Sequence, residues 1–164
     1  MLALKQILVP IDFSEPSEAA LKYGIALVRG FNAKLHLLHV VAKAAAENSG
    51  SVEYPIGLFE RMRDEAREHL HRILTGHQAE DVRSEFTIRV GTPYVEIIRY
   101  AKDRDIDLIV MGTHGRGLVA HMLMGSVAEN VVRRAPCPVL TVRHPQHEFV
   151  MPDESIAASA QVGN

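Results

Sequence analysis

Two glycine clusters separated by a fixed interval suit the binding of phosphate. They are Gly112-Thr113-His114-Gly115-Arg116-Gly117 and Gly125-Ser126, with nine residues between Gly115 and Gly125. Without a Cβ, such a loop can bring main-chain N–H groups close to phosphate oxygens and can adopt positive φ. Gly125-Ser126 stands where a helix should open, and a helix N-terminus offers unpaired N–H donors and a partial positive charge. Two main-chain anion sites therefore bracket one loop. A purely structural reading uses the same residues: the glycines make tight turns, and Ser126 with Glu129 forms a Ser-x-x-Glu capping box. Glu129 also sets a condition on the phosphate reading, since its carboxylate must turn toward the Ser126 N–H or be offset by a metal ion.

The remaining chemistry is sparse. No Gly-x-x-x-x-Gly-Lys-Ser/Thr occurs, so there is no P-loop lysine. Gly115-x-Gly117-x-x-Ala120 matches the dinucleotide fingerprint only loosely, because it follows the fourth predicted strand and the first strand's turn has no glycine. Near the loop only His114, Arg116 and His121 could assist phosphoryl transfer, with no catalytic acid pair beside them. No catalytic residue is assigned, and His114 reads as a loop or dimer-contact residue. Glu65-x3-His69-x-His71 lacks the His-Glu-x-x-His order of zinc proteases and reads as a solvated helix face, so no metal ligands are assigned. Cys137, the single cysteine, lies between Pro136 and Pro138. It excludes an intramolecular disulfide, suits a reducing compartment and reads as a small packed residue.

The elements that must position these residues alternate strand and helix. Strands are predicted over 7–11, 34–41, 82–90, 106–111 and 138–142 from their apolar, β-branched composition. The first is apolar throughout, as a strand buried on both faces requires; the third alternates, as a strand with one wet face or an edge position does. A helix should begin near Ser14 or Ser17 with Pro16 in its first turn, turn Ala20, Tyr23, Ala26 and Leu27 inward, and end at Gly30. A second runs from Leu58 with Phe59, Met62, Ala66, Leu70, Ile73, Leu74 and His77 on one face. Thr92 and Pro93 open a third, with Tyr94, Ile97, Ile98 and Ala101 inward. A fourth carries Val127, Ala128, Val131 and Val132 inward. Residues 42–57 lose periodicity and read as a mobile connection. Strands alternating with helices imply crossover connections and a parallel sheet covered on both faces. In such a sheet ligands bind at the C-terminal edge, where strand order reverses. Pro10-Ile11-Asp12, Val40-Val41 and the loop from Gly112 should therefore meet there.

Composition agrees with a single domain of this kind. The 164 residues are 47% apolar and 23% charged, enough for one buried core. A net charge of -2 leaves no basic field for a nucleic-acid backbone. The first ten residues are too short for a signal peptide, and no apolar run approaches the roughly 20 residues that cross a bilayer. The expectation is a soluble, cytoplasmic protein that binds neither membrane nor nucleic acid. It comprises a domain over 1–143 and a flexible C-terminal tail over 144–164.

Gly112-x-x-Gly115, nine residues, then Gly125-Ser126 resembles the Gly-x2-Gly-x9-Gly-Ser/Thr signature of the universal stress protein family. The opening Ile-Leu-Val-Pro-Ile-Asp-Phe-Ser and the closing Ala-Pro-Cys-Pro-Val-Leu-Thr-Val-Arg are similar to that family's first and last strands, and the likeness covers about residues 4 to 143. The resemblance implies a Rossmann-like (adenine nucleotide alpha hydrolase-like) α/β fold. Its five-stranded parallel sheet would have the order 3-2-1-4-5, with helices on both faces. It implies the ATP-binding branch, because the glycine signature is whole. ATP or a close adenine nucleotide would be the cofactor, any Mg2+ being held mainly by its phosphates. Carried over residue by residue, Asp12 would hold the ribose, Val40 would meet adenine through its backbone, and Pro10 would line the base. Met111 and Gly112 would flank the ribose, while Gly115, Arg116, Gly125, Ser126 and Val127 would face the phosphates. The implied function is a nucleotide-dependent stress-response regulator, a homodimer pairing through the last strand from Pro138 to Arg143 and acting on a regulatory protein partner. A weak ATPase or nucleotide-processing enzyme, and a nucleotide-free interaction scaffold, are the alternatives.

Overall fold

The first strand, β1 (Gln6–Pro10), buries Ile7, Leu8 and Val9 completely, and everything else is layered on it. In this computed structural model, which describes residues 3–42, 57–77, 79–113 and 126–143, it is followed by α1 (Glu15–Phe31) and β2 (Lys34–Ala42). Then come α2 (Leu58–Gly76), β3 (Ser84–Gly91), α3 (Pro93–Asp103), β4 (Leu108–Gly112), α4 (Ser126–Arg134) and β5 (Val139–Val142). All strand pairs are parallel and the order is β3-β2-β1-β4-β5, with β1 central, as expected.

Alternate residues of β1 build the two faces. Ile7 and Val9 pack with Leu21, Ile25 and Val28 of α1 and Leu70 of α2. Leu8 packs with Ile97 and Tyr100 of α3 and Ala128 and Val131 of α4. Helices cover both sides, so the outward faces of the three central strands are mainly apolar. Asp107 interrupts the apolar run before β4 because it has another task. Its Oδ2 accepts from the N–H groups of Lys5 (2.7 Å) and Gln6 (2.9 Å), fixing β1 against β4 where both begin. Cys137 is half-buried against the α3/α4 cluster, and burial, with the Asp107 carboxylate nearby, holds its thiol above the ordinary range. That suits the packed residue expected from the sequence. Among the described residues no helix is long and apolar enough to cross a membrane.

Three details differ from the sequence reading. First, α1 turns Ala20, Leu21, Gly24, Ile25 and Val28 inward, leaving Tyr23 and Ala26 exposed, and it passes through Gly30 to a left-handed cap at Asn32 (φ 51°). Second, α3 buries Glu96 and Tyr100 in addition to Ile97 and Ala101. The polar side of edge strand β3 meets them: Arg89 pairs with Glu96 (3.4 Å) and Asp103 (3.2 Å), and Glu96 also binds Arg99 (2.7 Å). Third, Val82 lies just before β3, Val90 is exposed, and Val132 of α4, expected inward, is exposed as well. The predicted mobile connection, apart from its ends, and the C-terminal tail beyond Arg143 lie outside the described residues.

A buried polar group sits between β2 and α3. His36, 2% exposed, has Nε2 at 2.6 Å from Gln6 Oε1 and Nδ1 at 2.9 Å from the Tyr100 hydroxyl. Gln6 Oε1 can only accept, so Nε2 carries a proton, and in the neutral imidazole Nδ1 accepts from the Tyr100 hydroxyl. Burial pushes the His36 pKa down, Lys34 and Arg104 push the same way, and Glu85 opposes them. The unfolded chain therefore binds a proton near pH 6.5 that the folded chain refuses. Stability is full above pH 6.5 and is expected to fall as the pH drops from there toward the lower folded value. The slope contributed by one such group approaches about 1.4 kcal/mol per pH unit. Urea unfolding of wild type and His36→Gln at pH 7.5, 6.0 and 5.0 checks it. Parallel pH dependences in the two proteins would remove His36 as the cause.

Candidate functional site

The reversal of strand order opens a crevice because β1 stops before its neighbours do. Lys34 N–H binds Lys5 O and Ile11 N–H binds Leu38 O, so the main chains of even-numbered residues of β2 face β1. The β1–β2 ladder ends at Pro10 opposite Leu38, while β2 runs on to Ala42 paired with β3. The N–H and C=O of Val40 are thus directed at space that β1 has already left. On the other flank Thr113 N–H binds Val142 O, so the main chain of the preceding residue, Gly112, faces the β1 side. Gln6 O accepts from Asp107 N–H, placing even residues of β1 on the β4 side, where Pro10 has no hydrogen to donate. The β1–β4 ladder accordingly covers only Ile7↔Leu108 and Leu8↔Ile109, although β4 continues to Gly112. Proline at position 10 is the local cause of the opening.

Asp12 lies where β1 turns into α1. Its Oδ1 accepts from both the N–H (3.0 Å) and the hydroxyl of Ser14, the N-cap of α1. Ser14 Oγ also accepts from Ser17 N–H at 3.4 Å, and Ser17 Oγ donates to Ser14 O at 2.9 Å while accepting from Asp12 N–H at 3.4 Å. The carboxylate is therefore half-buried, fixed in direction, and beside the positive end of a helix. Such a group suits hydroxyls that need an acceptor held at a set place.

Val40, Met111 and Val127 converge from β2, β4 and α4 on one apolar cluster: Met111 is buried in it, and the other two pack against it half-buried. Gly112 fits against α1 so closely that a Cβ there would lie 2.8 Å from both C and O of Pro16. Ser126 already has helical backbone, and its carbonyl accepts from Asn130 Nδ2 at 2.8 Å. Glu129 pairs with Arg133 at 3.0 Å, one turn further along. The capping box of the purely structural reading does not form, and the carboxylate finds its partner toward the C-terminus of the helix. Gly115, Arg116 and Gly125 lie outside the described residues.

Sequence reasoning missed three rings at this edge. Phe13 has φ of 61°, its ring is stacked on His69 of α2 (centroids 4.5 Å apart, interplanar 18°), and it meets His39 of β2 at 4.9 Å. His69 is half-buried here and does not belong to a solvated face.

Known proteins give an independent measure. The sequence profile of the Universal stress protein family matches residues 3–143. Universal stress protein MJ0531 of Methanocaldococcus jannaschii is 33% identical over 147 residues, covering 88% of this chain and 85% of its own. The solved structure of MJ0577 from the same organism superposes with a TM-score of 0.77 at 33% identity, covering 89% of this chain and all of that one. A universal stress protein crystallised in complex with cAMP aligns with a TM-score of 0.62 at 26% identity, over 87% of this chain and 98% of that one.

Proposed function

The chain belongs to the universal stress protein family, and from that membership we propose that it holds ATP, or a close adenine nucleotide, in the crevice beside Asp12. The observation that carries this reading is the early end of β1, which leaves a fixed carboxylate between two flanking strands whose main chains face the gap. The N–H and C=O of Val40 offer a donor and an acceptor side by side, complementary to the amino-pyrimidine edge of adenine. Pro10 lines the base, Asp12 accepts from the ribose hydroxyls, and Met111 and Gly112 flank the sugar. Gly115, Arg116, Gly125, Ser126 and Val127 take the phosphates, the first three on the strength of the motif alone. Glu129 is paired with Arg133, which offsets part of its charge near that end. The solved relative bound to cAMP supports the adenine class.

In this reading the nucleotide sets the contacts of a homodimer and of a regulatory protein partner in a stress response. The β5 edge, with Leu140 exposed, is where two copies pair. Calorimetric titration of ATP into wild type and Asp12→Ala tests the site. The variant is expected to bind about 1–3 kcal/mol more weakly, the loss of a charge-assisted hydrogen bond. Equal affinity would remove Asp12 from the site, and a wild type indifferent to every adenine nucleotide would reject the reading.

A further inference from the structure

A phenylalanine with φ of 61° is out of place, because the left-handed region crowds any side chain and is unfavourable to a bulky one. Strain of this kind persists only where the surroundings over-determine it. Two histidines from different elements do so: the Phe13 ring lies flat on His69 of α2 at 4.5 Å and is tilted against His39 of β2 at 4.9 Å. His39 also holds the main chain one step before Asp12, its Nδ1 lying 2.8 Å from Ile11 O and donating to it. Asp12 is thus bracketed, with Ile11 tied by His39 on one side and Phe13 clamped by both rings on the other.

We propose that His69 and His39 are positioning residues for the nucleotide, acting through Phe13 and Ile11 to aim the Asp12 carboxylate. The inference rests on the nucleotide reading given above. The physical route is short. The Asp12–Ser14 hydrogen bonds span residue 13, so the backbone angles of Phe13 decide whether Ser14 N–H (3.0 Å) and its hydroxyl can reach Asp12 Oδ1. If the stack is removed, residue 13 can relax toward an ordinary φ, and the carboxylate loses its set direction. Affinity then falls because the ordering of Asp12 must come out of binding. The position of α2 thereby enters the affinity of a site built on β1, β2 and β4.

Phe13 also packs against the α1/α2 core, so the competing explanation is packing alone. The experiment separates them by titrating ATP calorimetrically into wild type, Asp12→Ala, His69→Ala and His69→Phe, well below every melting midpoint, alongside thermal unfolding. His69→Ala is expected to bind ATP about 2- to 10-fold more weakly, the worth of one aromatic stack. His69→Phe, which restores a flat ring, should return to within about twofold of wild type. Unchanged affinity in His69→Ala, with wild type binding and Asp12→Ala weakened, overturns this inference and leaves the nucleotide reading intact. A loss that His69→Phe fails to restore, or one proportional to the drop in melting midpoint, overturns it as well. A wild type that binds no ATP defeats both.

Discussion

Tyr100→Ala is expected to lower the unfolding free energy by about 3–5 kcal/mol, a large share of the roughly 5–15 kcal/mol typical of a domain. Among the described residues Tyr100 is the largest side chain with no exposure at all, set among Leu8, Leu38, Ile97, Ile109 and Val131. Its ring also faces the guanidinium groups of Arg89 at 5.0 Å and Arg104 at 5.6 Å, and its hydroxyl is the donor that satisfies buried His36. Truncation to alanine leaves a cavity, two cations without their aromatic face and an imidazole nitrogen without its partner. Tyr100→Phe isolates the last of these and should cost about 1–3 kcal/mol, the penalty for one orphaned buried acceptor. Urea denaturation of the three proteins at pH 7.5 checks the order. A loss below about 1 kcal/mol for the alanine variant would mean that this side of the sheet is not packed as described.

How far these features could be read in the sequence depended on whether their cause was local. The sheet was legible because buried strands announce themselves as apolar runs, and Pro10, Asp12, Val40 and Gly112 follow from it, since parallel strands bring their C-terminal ends to one edge. The inward face of α1 was misread for a definite reason. It is centred on Gly24, whose missing Cβ would fall 2.6 Å from Val9 Cγ2, and a count of apolar residues passes over glycine. A glycine in mid-helix, four residues from Ala20 and Val28, was the signal that helix and strand touch there. Glu96 misled in the opposite way, because a carboxylate is read as solvent-facing until Arg89 and Arg99 are seen to cover it. The contact of Phe13 with His69 joins elements far apart in sequence, and local spacing holds no trace of it. Ser126 and Glu129 matched a capping pattern that position alone cannot enforce. A carboxylate with Arg133 one turn away has a partner at hand, and takes it.

Gly112→Val is expected to cost about 3 kcal/mol of stability and to abolish nucleotide binding, because one contact serves both. A Cβ at this position would sit 2.8 Å from Pro16 C and O and 2.9 Å from Pro16 Cβ. The first two are main-chain atoms in the first turn of α1 and the third belongs to the closed proline ring, so no rotamer change can make room. Relief requires α1 to draw away from β4. That displacement would carry Ser14 and Ser17 with it, and they are the residues that hold Asp12 in place. Gly30 supplies the contrast. A Cβ there meets nothing within 4 Å, so Gly30→Ala should leave binding unchanged and raise stability by about 0.5–1 kcal/mol through the lost freedom of the unfolded chain. Urea midpoints and ATP titrations of both variants decide it. The same loss of glycine should move stability in opposite directions at the two sites, and only at Gly112 should affinity move with it. If Gly112→Val kept wild-type stability, α1 would not be seated on the end of β4, and the crevice would lose the wall that keeps its carboxylate in place.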